Sequence, residues 1–369
     1  MKRMLIIGGV IVLTALGMLG FLYRDQIVAR YFSPTQSNID EAANQPTTEV
    51  FAENLETPWS ISFLPSGDMI VTERSGRLTR IGENGKSITI QGVRETSEGG
   101  LLGMALDPKF ESNQFIYLYY TTDESGELTN RIDRYKLLND SLTEQQTVIS
   151  DIPAASNHNG GAIAFGPDEK LYITTGDAAK PELAQDRDSL AGKILRLNSD
   201  GTVPDDNPFN NLVWSLGHRN PQGIAWDDKG RLWSVEHGPS GSSSGEDELN
   251  LIIRGANYGW PTFTGDRTAP GFIAPIVQSG ENDTWAPAGM AHSGGVLYFA
   301  GLRGQTLYRA ATNDAGDSVK LERLFSGSFG RLRAVTAHEG SIYFSTSNRD
   351  GRGSPRSGDD KIYRMRTSE

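Results

Sequence analysis

Residues 161–177 read GAIAFGPDEKLYITTGD, and this stretch decides the fold because the same arrangement recurs along the chain. A short apolar strand is followed by a turn with Asp, Pro or Gly, and then by a second strand rich in Tyr, Ile or Val. Further copies of this arrangement begin at Pro58, Gly100, Pro221, Pro287 and Arg333. A single copy has too little apolar surface to bury on its own, so the copies must pack on one another.

Six copies of one strand unit predict an all-β fold, a six-bladed β-propeller. Blades of about 40 to 50 residues are typical of this architecture, and insertions between strands lengthen some of them. We expect residues 49–55 (EVFAENL) to supply the outer strand of the last blade and to close the ring. A pair of β-sandwiches would explain the strands but not their repetition. The inserts at 177–192, 198–214 and 238–285 should supply binding loops at one mouth of the ring.

The chain before the repeats predicts a membrane anchor followed by a linker. Residues 4–23 carry no charge and, as a helix, are long enough to cross roughly 30 Å of hydrocarbon. We therefore assign 1–32 to a signal anchor or transmembrane helix, 33–48 to a flexible linker and 49–369 to the propeller domain. This arrangement predicts a single-pass protein of the cell membrane with its propeller outside the cytoplasm. A cleaved signal peptide, which would give a secreted or periplasmic protein, is the alternative.

Composition excludes several classes of function. The 369 residues carry a formal net charge of -11, which argues against binding nucleic acid because phosphates need a basic surface. The absence of cysteine excludes disulfides, thiolate metal sites and cysteine nucleophiles. No pair of histidines has the spacing of a zinc helix, and no nucleophile elbow, P-loop or dinucleotide fingerprint is present. Zinc hydrolysis, ATP chemistry and nicotinamide chemistry therefore have no support.

Two polar turns lead into the inner strands of neighbouring repeats, where side chains can point to the central channel. His158 lies in SNHNGG, and Arg219 and Asn220 lie in GHRNPQG. A neutral imidazole can accept a proton from a substrate hydroxyl, and a guanidinium can stabilise an anion or a developing oxyanion. A turn histidine bonded to the backbone and a salt bridge between blades are the alternative interpretations of the two residues.

Three arginines and one acidic stretch suggest ligand sites. Arg331 and Arg333 are two positions apart on a strand and therefore share one face, and Arg303 belongs to the preceding repeat. Guanidiniums gathered at one mouth suggest a ligand with several carboxylates. Residues 246–248 (EDE) follow a Gly- and Ser-rich stretch, which suits the hard oxygen ligands of calcium. A flexible linker with a solvated acidic run is the alternative for that stretch.

The chain resembles the family of soluble glucose dehydrogenases and aldose sugar dehydrogenases that depend on pyrroloquinoline quinone (PQQ), over residues 54–365. The resemblance rests on motifs in the family's order: GGLLGMALDPKF, NHNGG with GPDEKLYITTGD, AQDRDSLAGKILRL, PDDNPF, GHRNPQG, EHGP with DELN, NYGWP and RLRAV. It implies a six-bladed propeller, PQQ and Ca²⁺ as cofactors, and oxidation of an aldose at the anomeric carbon to a lactone. The electrons would pass to an external acceptor, a quinone or a cytochrome.

The resemblance also implies roles for single residues. His158 would take the proton of the anomeric hydroxyl while hydride passes to the quinone. Arg219, with Asn220 beside it, would stabilise negative charge on the quinone oxygens. The cofactor carboxylates and ring would be held by Arg331, Arg333 and Trp285.

Two calcium ions are implied by the same resemblance. The backbone carbonyls of Gly238 and Pro239 would hold the ion that polarises the quinone. Glu248 and the carbonyl of Tyr258 would hold a second, structural ion.

Three cofactor-site positions depart from the family pattern. Glu98 stands where the family has a glutamine that contacts the cofactor, and its negative charge is expected to repel a carboxylated quinone. Asn157 precedes the histidine where the family has an aspartate or another residue, and Arg303 replaces a lysine.

Two other functions remain open. One is a calcium-dependent propeller hydrolase of the lactonase type, and the other is a non-catalytic surface propeller that binds sugars or mediates adhesion.

Overall fold

Each repeat of the sequence folds into one four-stranded antiparallel sheet in the computed structural model of the chain. The structure describes residues 39–82, 85–124, 126–239 and 245–367. Six such sheets form the predicted all-β six-bladed propeller, and this prediction is confirmed. The expected anchor over 1–32 lies outside the described residues. Within them, no helix combines the length and apolar character needed to cross a bilayer.

Blades 1 to 3 use strands in sequence order from the axis outwards. Blade 1 contains β2 (Pro58–Phe63), β3 (Met69–Glu73), β4 (Arg77–Ile81) and β5 (Ser87–Thr89). Blade 2 contains β6 (Leu101–Leu106), β7 (Phe115–Thr122), β8 (Thr129–Leu138) and β9 (Ser141–Pro153). Blade 3 contains β10 (Ile163–Phe165), β11 (Leu171–Thr175), β12 (Lys193–Leu197) and β13 (Val213–Leu216). A short helix α1 (Phe110–Asn113) precedes β7, and a 3₁₀ turn (Pro181–Ala184) precedes β12.

Blades 4 to 6 follow the same rule except at the closure. Blade 4 contains β14 (Pro221–Trp226), β15 (Leu232–Glu236), β16 (Glu248–Ile252) and β17 (Val277–Gln278). Blade 5 contains β18 (Pro287–Ser293), β19 (Val296–Gly301), β20 (Thr306–Thr312) and β21 (Val319–Leu324). Blade 6 contains β22 (Leu332–His338), β23 (Ser341–Thr346) and β24 (Ile362–Arg366), and its fourth strand is the N-terminal β1 (Thr48–Ala52).

The N-terminal strand closes the ring, as the sequence predicts. β1 pairs antiparallel with β24, with Thr48 opposite Met365. The segment just before it, in the second half of the expected linker, runs along blade 5. The backbone N–H of Ala42 donates to the carbonyl of Arg323 at 2.9 Å, and the N–H of Arg323 donates to the carbonyl of Asp40 at 2.9 Å. Residues from 40 onwards therefore bridge the last two blades.

The core lies between blades, and the sequence of β7 shows why. Its alternate residues face opposite sides of the sheet. Tyr117 and Tyr119 pack on blade 3, whereas Leu118 and Tyr120 pack on blade 1. All four side chains are buried because both faces of the sheet are covered. This explains why FIYLYYTT is apolar or aromatic almost throughout and does not alternate with polar residues.

Successive strands of a blade run in opposite directions, so the pair of strands that a loop connects decides at which end of the ring the loop lies. Connections into a first strand, and those from a second to a third strand, lie at the end where β10 and β14 begin. The insert at 177–192 joins β11 to β12 and lies at that end. Residues 198–212 join β12 to β13, so this insert lies at the opposite end. The expectation that all three inserts share one mouth is therefore wrong for the second of them.

Candidate active site

The loops that lead into blades 3 and 4 place His158 and Arg219 next to each other. His158 precedes β10, and Arg219 with Asn220 directly precedes β14. A guanidinium N–H of Arg219 donates to Nε2 of His158 at 2.8 Å. The side chain of His158 is 12% exposed, so it can still be reached from solvent. The structure thus brings together two residues that the sequence places at equivalent positions of neighbouring repeats.

Asp177 fixes the tautomer of His158. Nδ1 of the imidazole lies 2.8 Å from Oδ1 of Asp177, a side chain with no exposed surface directly after β11. Because Arg219 has only donors, Nε2 must carry a lone pair, and Nδ1 must carry the hydrogen that Asp177 accepts. Nε2 is therefore the basic atom of a neutral imidazole whose orientation is set by a buried carboxylate.

The backbone of His158 is held in a conformation that residues other than glycine rarely adopt. Its φ is 59°, in the left-handed region. Its N–H donates to Oε2 of Glu98 at 3.0 Å, and its carbonyl accepts from the N–H of Ala178 at 3.2 Å. Gly176 packs against this carbonyl, where a Cβ would clash. Strain of this kind persists only where the surroundings enforce it, which is common at functional sites.

Trp260 contacts both Asp177 and Arg219. Its Nε1 donates to Oδ2 of Asp177 at 2.8 Å, and the Arg219 guanidinium lies 5.3 Å from the centre of its ring. The chain reaches this place because residues 256–260 run alongside β13. The N–H of Trp260 donates to the carbonyl of Gly217 at 3.0 Å. An indole with one polar edge and a π face can orient a carboxylate and a cation together.

The sequence predictions included neither Asp177 nor Trp260 among the site residues. For Asp177 a signal exists, since the acid ends the strand motif LYITTGD that follows the histidine turn. For Trp260 the contact spans 83 positions of the chain, and no local pattern indicates it.

The charge of Glu98 is neutralised within the fold. Its Oε1 accepts from Nη1 of Arg352 at 2.6 Å, while its Oε2 holds the backbone of His158. Burial alone would raise the pKa of Glu98, but the charge of Arg352, the neighbouring His237 and the His158 N–H outweigh burial and lower it to about 2. The carboxylate therefore forms an ion pair and is not a free negative charge that faces a ligand. Arg352 was not foreseen from the sequence.

Arg331 and Arg333 converge on one carboxylate, as their spacing suggests. Asp350 lies 2.9 Å from Nη2 of Arg331 and 3.7 Å from Nη2 of Arg333. Burial lowers the pKa of Arg333 to about 10, although Asp350 opposes this change. Two buried guanidiniums thus share one carboxylate and leave an excess of positive charge. Such a site suits an anionic ligand.

The two predicted residues of blade 5 lie on paired segments, because the N–H of Gly304 donates to the carbonyl of Trp285 at 3.0 Å, but their side chains have different surroundings. Arg303 follows β19, and burial lowers the pKa of its guanidinium against the opposing charge of Asp247. Trp285 has no exposed surface, and its ring lies 5.6 Å from that of Phe299 and 5.4 Å from that of Tyr308. The structure therefore places Trp285 in the core of blade 5 and not on an open wall that flanks a ligand ring. Its apolar partners on β19 and β20 draw the indole inwards.

The two predicted asparagines act on the loop that carries His158. Asn220 is buried, and its Oδ1 accepts from the N–H of Gly160 at 2.9 Å. Asn157 is only partly buried beside the histidine, and its Oδ1 accepts from Oγ of Ser156 at 3.4 Å. Asn220 therefore shapes the turn from within, whereas Asn157 lies at its solvent side.

His237 is a further residue of the site that the sequence did not assign. It directly follows β15, and burial lowers its pKa to about 3, opposed by Glu98 and reinforced by Arg219. Among the described residues its Nε2 is buried without a hydrogen-bond partner. It is therefore a neutral imidazole with an open polar atom beside charged side chains.

Comparison with known proteins shows which family has this architecture. The sequence profile of the glucose/sorbosone dehydrogenase family matches residues 55–362. The chain belongs to this family. It is 33% identical over 342 residues to aldose sugar dehydrogenase YliI of Escherichia coli, covering 82% of this chain and 90% of that protein.

Two further relatives support this membership. Quinoprotein glucose dehydrogenase B of Acinetobacter calcoaceticus is 34% identical over 264 residues, covering 61% of this chain and 54% of that protein. The PQQ-bound aldose sugar dehydrogenase of Streptomyces coelicolor superimposes with a TM-score of 0.80 at 38% identity, covering 88% of this chain and 99% of that one.

The quinone implied by a glucose/sorbosone dehydrogenase fits the residues of this chain. Arg331 and Arg333 supply buried positive charge for carboxylates. The open Nε2 of His237 supplies a polar atom for a ring oxygen or nitrogen. Because Arg352 neutralises Glu98, the expected repulsion of a carboxylated ligand is largely removed.

The first calcium position expected from the resemblance lies in a loop organised by Asp247. The N–H of Gly238 donates to Oδ1 of Asp247 at 2.8 Å, and Oγ1 of Thr284 donates to its Oδ2 at 2.8 Å. Burial raises the pKa of Asp247. Gly238 and Pro239 thus begin a loop that is tied back at residue 247. In the part of the chain that the structure describes, no three His, Asp or Glu side chains form a metal cluster.

The second calcium position expected from the resemblance contains two carboxylates side by side. Glu248 is paired with Glu236 across β15 and β16, and burial together with the charge of Glu236 raises the pKa of Glu248 well above its usual range. Tyr258 lines the same small cavity. Adjacent carboxylates are hard ligands that suit a calcium ion, whose charge would offset their repulsion.

Proposed function

We propose that this protein oxidises an aldose at its anomeric carbon to a lactone, with PQQ and Ca²⁺ as cofactors. One observation carries the proposal: Nε2 of His158 is a lone-pair acceptor on a neutral imidazole that Asp177 orients and Arg219 contacts. Membership in the glucose/sorbosone dehydrogenase family and similarity to a PQQ-bound aldose sugar dehydrogenase support the choice of chemistry.

The residues of this chain would handle the proton and the developing charge. The anomeric hydroxyl would replace the N–H of Arg219 at Nε2 of His158, this nitrogen would accept its proton, and Asp177 would stabilise the imidazolium that results. Arg219 lies beside this atom and stabilises negative charge as it develops. PQQ, when bound, supplies the two-electron acceptor for the hydride that leaves the anomeric carbon. One hydride and one proton thus leave the sugar, which gives the lactone.

The charges of the site and the resemblance to the family together suggest ligands for the cofactors. Arg331 and Arg333 would hold the carboxylates of PQQ, and His237 would contact its polar edge. The carbonyls of Gly238 and Pro239 would hold a calcium ion that polarises the quinone. A second calcium ion, held by Glu248 and the carbonyl of Tyr258, would stabilise the fold.

Reconstitution of the purified protein tests the function. Apoprotein is mixed with PQQ and CaCl₂, and reduction of a redox dye is followed with a panel of aldoses. We expect dye reduction by at least one aldose and a lactone product. H158A is the control, because it should keep the absorbance change of PQQ binding but lose turnover. If no aldose reduces the dye although PQQ binds, the proposed activity is refuted; turnover of lactones without PQQ would favour the hydrolase alternative.

We also propose that residues 1–32 anchor the enzyme in the cell membrane, with the propeller outside the cytoplasm and electrons passing to a membrane quinone or a cytochrome. The uncharged run at 4–23 supports this proposal. The test is fractionation of cells that produce the full chain, followed by an alkaline carbonate wash and sequencing of the N-terminus. Retention in the membrane with an intact N-terminus is expected. Release as a shortened soluble protein would instead indicate signal cleavage.

A further inference from the structure

A loop of blade 6 connects the arginines of the site to the rest of the ring. Asp350 uses its two carboxylate oxygens in different directions. Oδ2 accepts from Nε of Arg331 at 2.9 Å, and Oδ1 accepts from the backbone N–H of Arg352 at 2.9 Å. The carboxylate is buried, and the charges of Arg331 and Arg333 outweigh burial and lower its pKa. The position of Arg352 is thus tied to that of the arginine pair.

Arg352 crosses from blade 6 to the loop that leads into blade 2. Its Nη1 donates to Oε1 of Glu98 at 2.6 Å, across 254 positions of the chain. Glu98 is fixed from a second side because its backbone N–H donates to the carbonyl of Ser156 at 2.8 Å. A carboxylate at position 98 can accept a charge-assisted bond from Arg352 that an amide cannot match.

Glu98 in turn holds the backbone of His158. Its second oxygen, Oε2, accepts the N–H of His158, the residue whose φ is 59°. A left-handed conformation in a non-glycine residue costs roughly 1 to 3 kcal/mol and needs such an enforcing contact. One continuous series of polar contacts therefore runs from Arg331 through Asp350, Arg352 and Glu98 to His158.

We propose that Glu98 and Arg352 are positioning residues for His158, and that Asp350 couples the position of this imidazole to the arginine pair. This inference rests on the proposed function, which makes His158 the base. Loss of a purely structural ion pair would lower the stability of the fold but would leave the imidazole of His158 and kcat unchanged. A base displaced by about 1 Å can instead lose roughly a hundredfold in rate.

The first test needs no cofactor and reports on His158 directly. The imidazole nitrogens of the apoprotein are observed by ¹⁵N NMR, and H158A assigns the signals of His158. We expect E98A and R352M to shift or broaden these signals, and R352K to restore them because the charge on residue 352 is kept. Signals of E98A that coincide with those of the wild type would overturn the inference. If E98A does not fold, E98Q and R352M provide the same comparison.

The matched control is E95Q. Glu95 lies in the same loop as Glu98 and pairs with Arg74 at 3.2 Å, but its side chain is 42% exposed and does not contact His158. We expect E95Q to leave the signals of His158 where they are in the wild type. A shift in E95Q as large as that in E98A would show that any charge change in this loop moves the imidazole, which overturns a specific role for Glu98.

The second test uses the reconstituted enzyme. In E98A and R352M we expect kcat to fall about 10- to 100-fold while KM stays within about threefold, since positioning of the base affects the chemical step more than binding. The double variant should lose no more than either single variant, because both break one series of contacts. Unchanged kcat in E98A, or additive losses, would contradict the inference. If the wild type oxidises no aldose, the proposed function fails while the NMR signals still decide the positioning role.

Discussion

At the scale of single residues, Asp177 accepts hydrogen bonds from the side chains of His158 and Trp260 and from the backbone N–H of Ala179. D177N preserves its size but turns one oxygen into a donor, which disfavours the tautomer with hydrogen on Nδ1. We expect kcat to fall about 10²- to 10⁴-fold, the range that a positioned acid or base contributes. Steady-state dye reduction measures this, with PQQ binding as the control. A wild-type rate would contradict the tautomer assigned to His158.

Trp260 gives a second prediction at the same scale. W260F keeps an aromatic face under Arg219 but removes the N–H that Asp177 accepts. Asp177 then orients His158 less firmly, and kcat should fall by roughly 10- to 100-fold. Tm should fall as well, because a hydrogen bond to a charged group contributes about 1.5 to 3 kcal/mol to stability. W260F with unaltered kcat would remove Trp260 from the set of residues that position the base.

The site residues that can be identified from the sequence alone belong to short local motifs. His158 and Arg219 stand in polar turns before repeated strands, and Arg331 and Arg333 share a face by their spacing. Arg352 meets Glu98 across 254 positions, a distance that no local pattern reports. The surroundings of Trp285 are hidden from the sequence for a related reason. An indole next to a polar loop can turn either to the pocket or to the core, and only packing on Phe299 and Tyr308 decides.

At the scale of strands, the pairing of Glu236 with Glu248 across β15 and β16 predicts opposite effects with and without calcium. Because its pKa is raised in the fold, ionised Glu248 destabilises the protein at neutral pH when no cation is present. E248Q should therefore raise Tm in EDTA. In the wild type, calcium at 100 times its Kd should raise the free energy of unfolding by about 2.7 kcal/mol, and E248Q should not show this increase. Equal calcium responses in the two proteins would contradict the proposed second site.

The closing strand β1 supports another prediction for an element. A chain that starts at Glu53 lacks β1 and leaves the edge of β24 unpaired, whereas one that starts at Thr48 keeps β1 and loses, among the described residues, the contacts of 39–47. We expect the free energy of unfolding of the shorter chain to be lower by about 3 kcal/mol or more. Because each kcal/mol corresponds to about 2 to 4 °C in Tm, its Tm should be clearly lower. The longer chain should unfold close to the wild type. Similar Tm values for both would show that β1 does not hold the ring closed.

The sequence predicts the strands that repeat from blade to blade, but it does not predict the short fourth strands. The first two strands of the blades repeat one apolar pattern around a turn, and this repetition predicts the six blades and the closing segment at 49–55. Fourth strands such as β5 (Ser87–Thr89) and β17 (Val277–Gln278) are too short to produce a period. When a fourth strand is not recognised, the sequence does not show which two strands an insert connects. The insert at 198–214 was therefore assigned to the wrong end of the ring.

At the scale of the whole molecule, the ring is held by contacts that no single blade contains. Apolar side chains fill the spaces between blades, and β1 joins the last sheet to the start of the chain. The pair formed by Glu98 and Arg352 adds a polar contact across the mouth, between the loops of blades 2 and 6. Protonation of Glu98 would break this ion pair, so a change of pH should alter both the position of His158 and the stability of the whole protein.

Acid should therefore reveal this contact in the stability of the whole protein. The pKa of Glu98 is lowered from 4.5 to about 2, so the ionised carboxylate stabilises the fold fully above pH 4.5, and this stabilisation is lost as the pH falls towards about 2. E98Q has no carboxylate to protonate at this position. We expect Tm of the wild type to fall more steeply than that of E98Q between pH 5 and about 2.5, with E95Q following the wild type. Parallel curves for the wild type and E98Q in thermal scans would mean that the ion pair does not contribute to closing the ring.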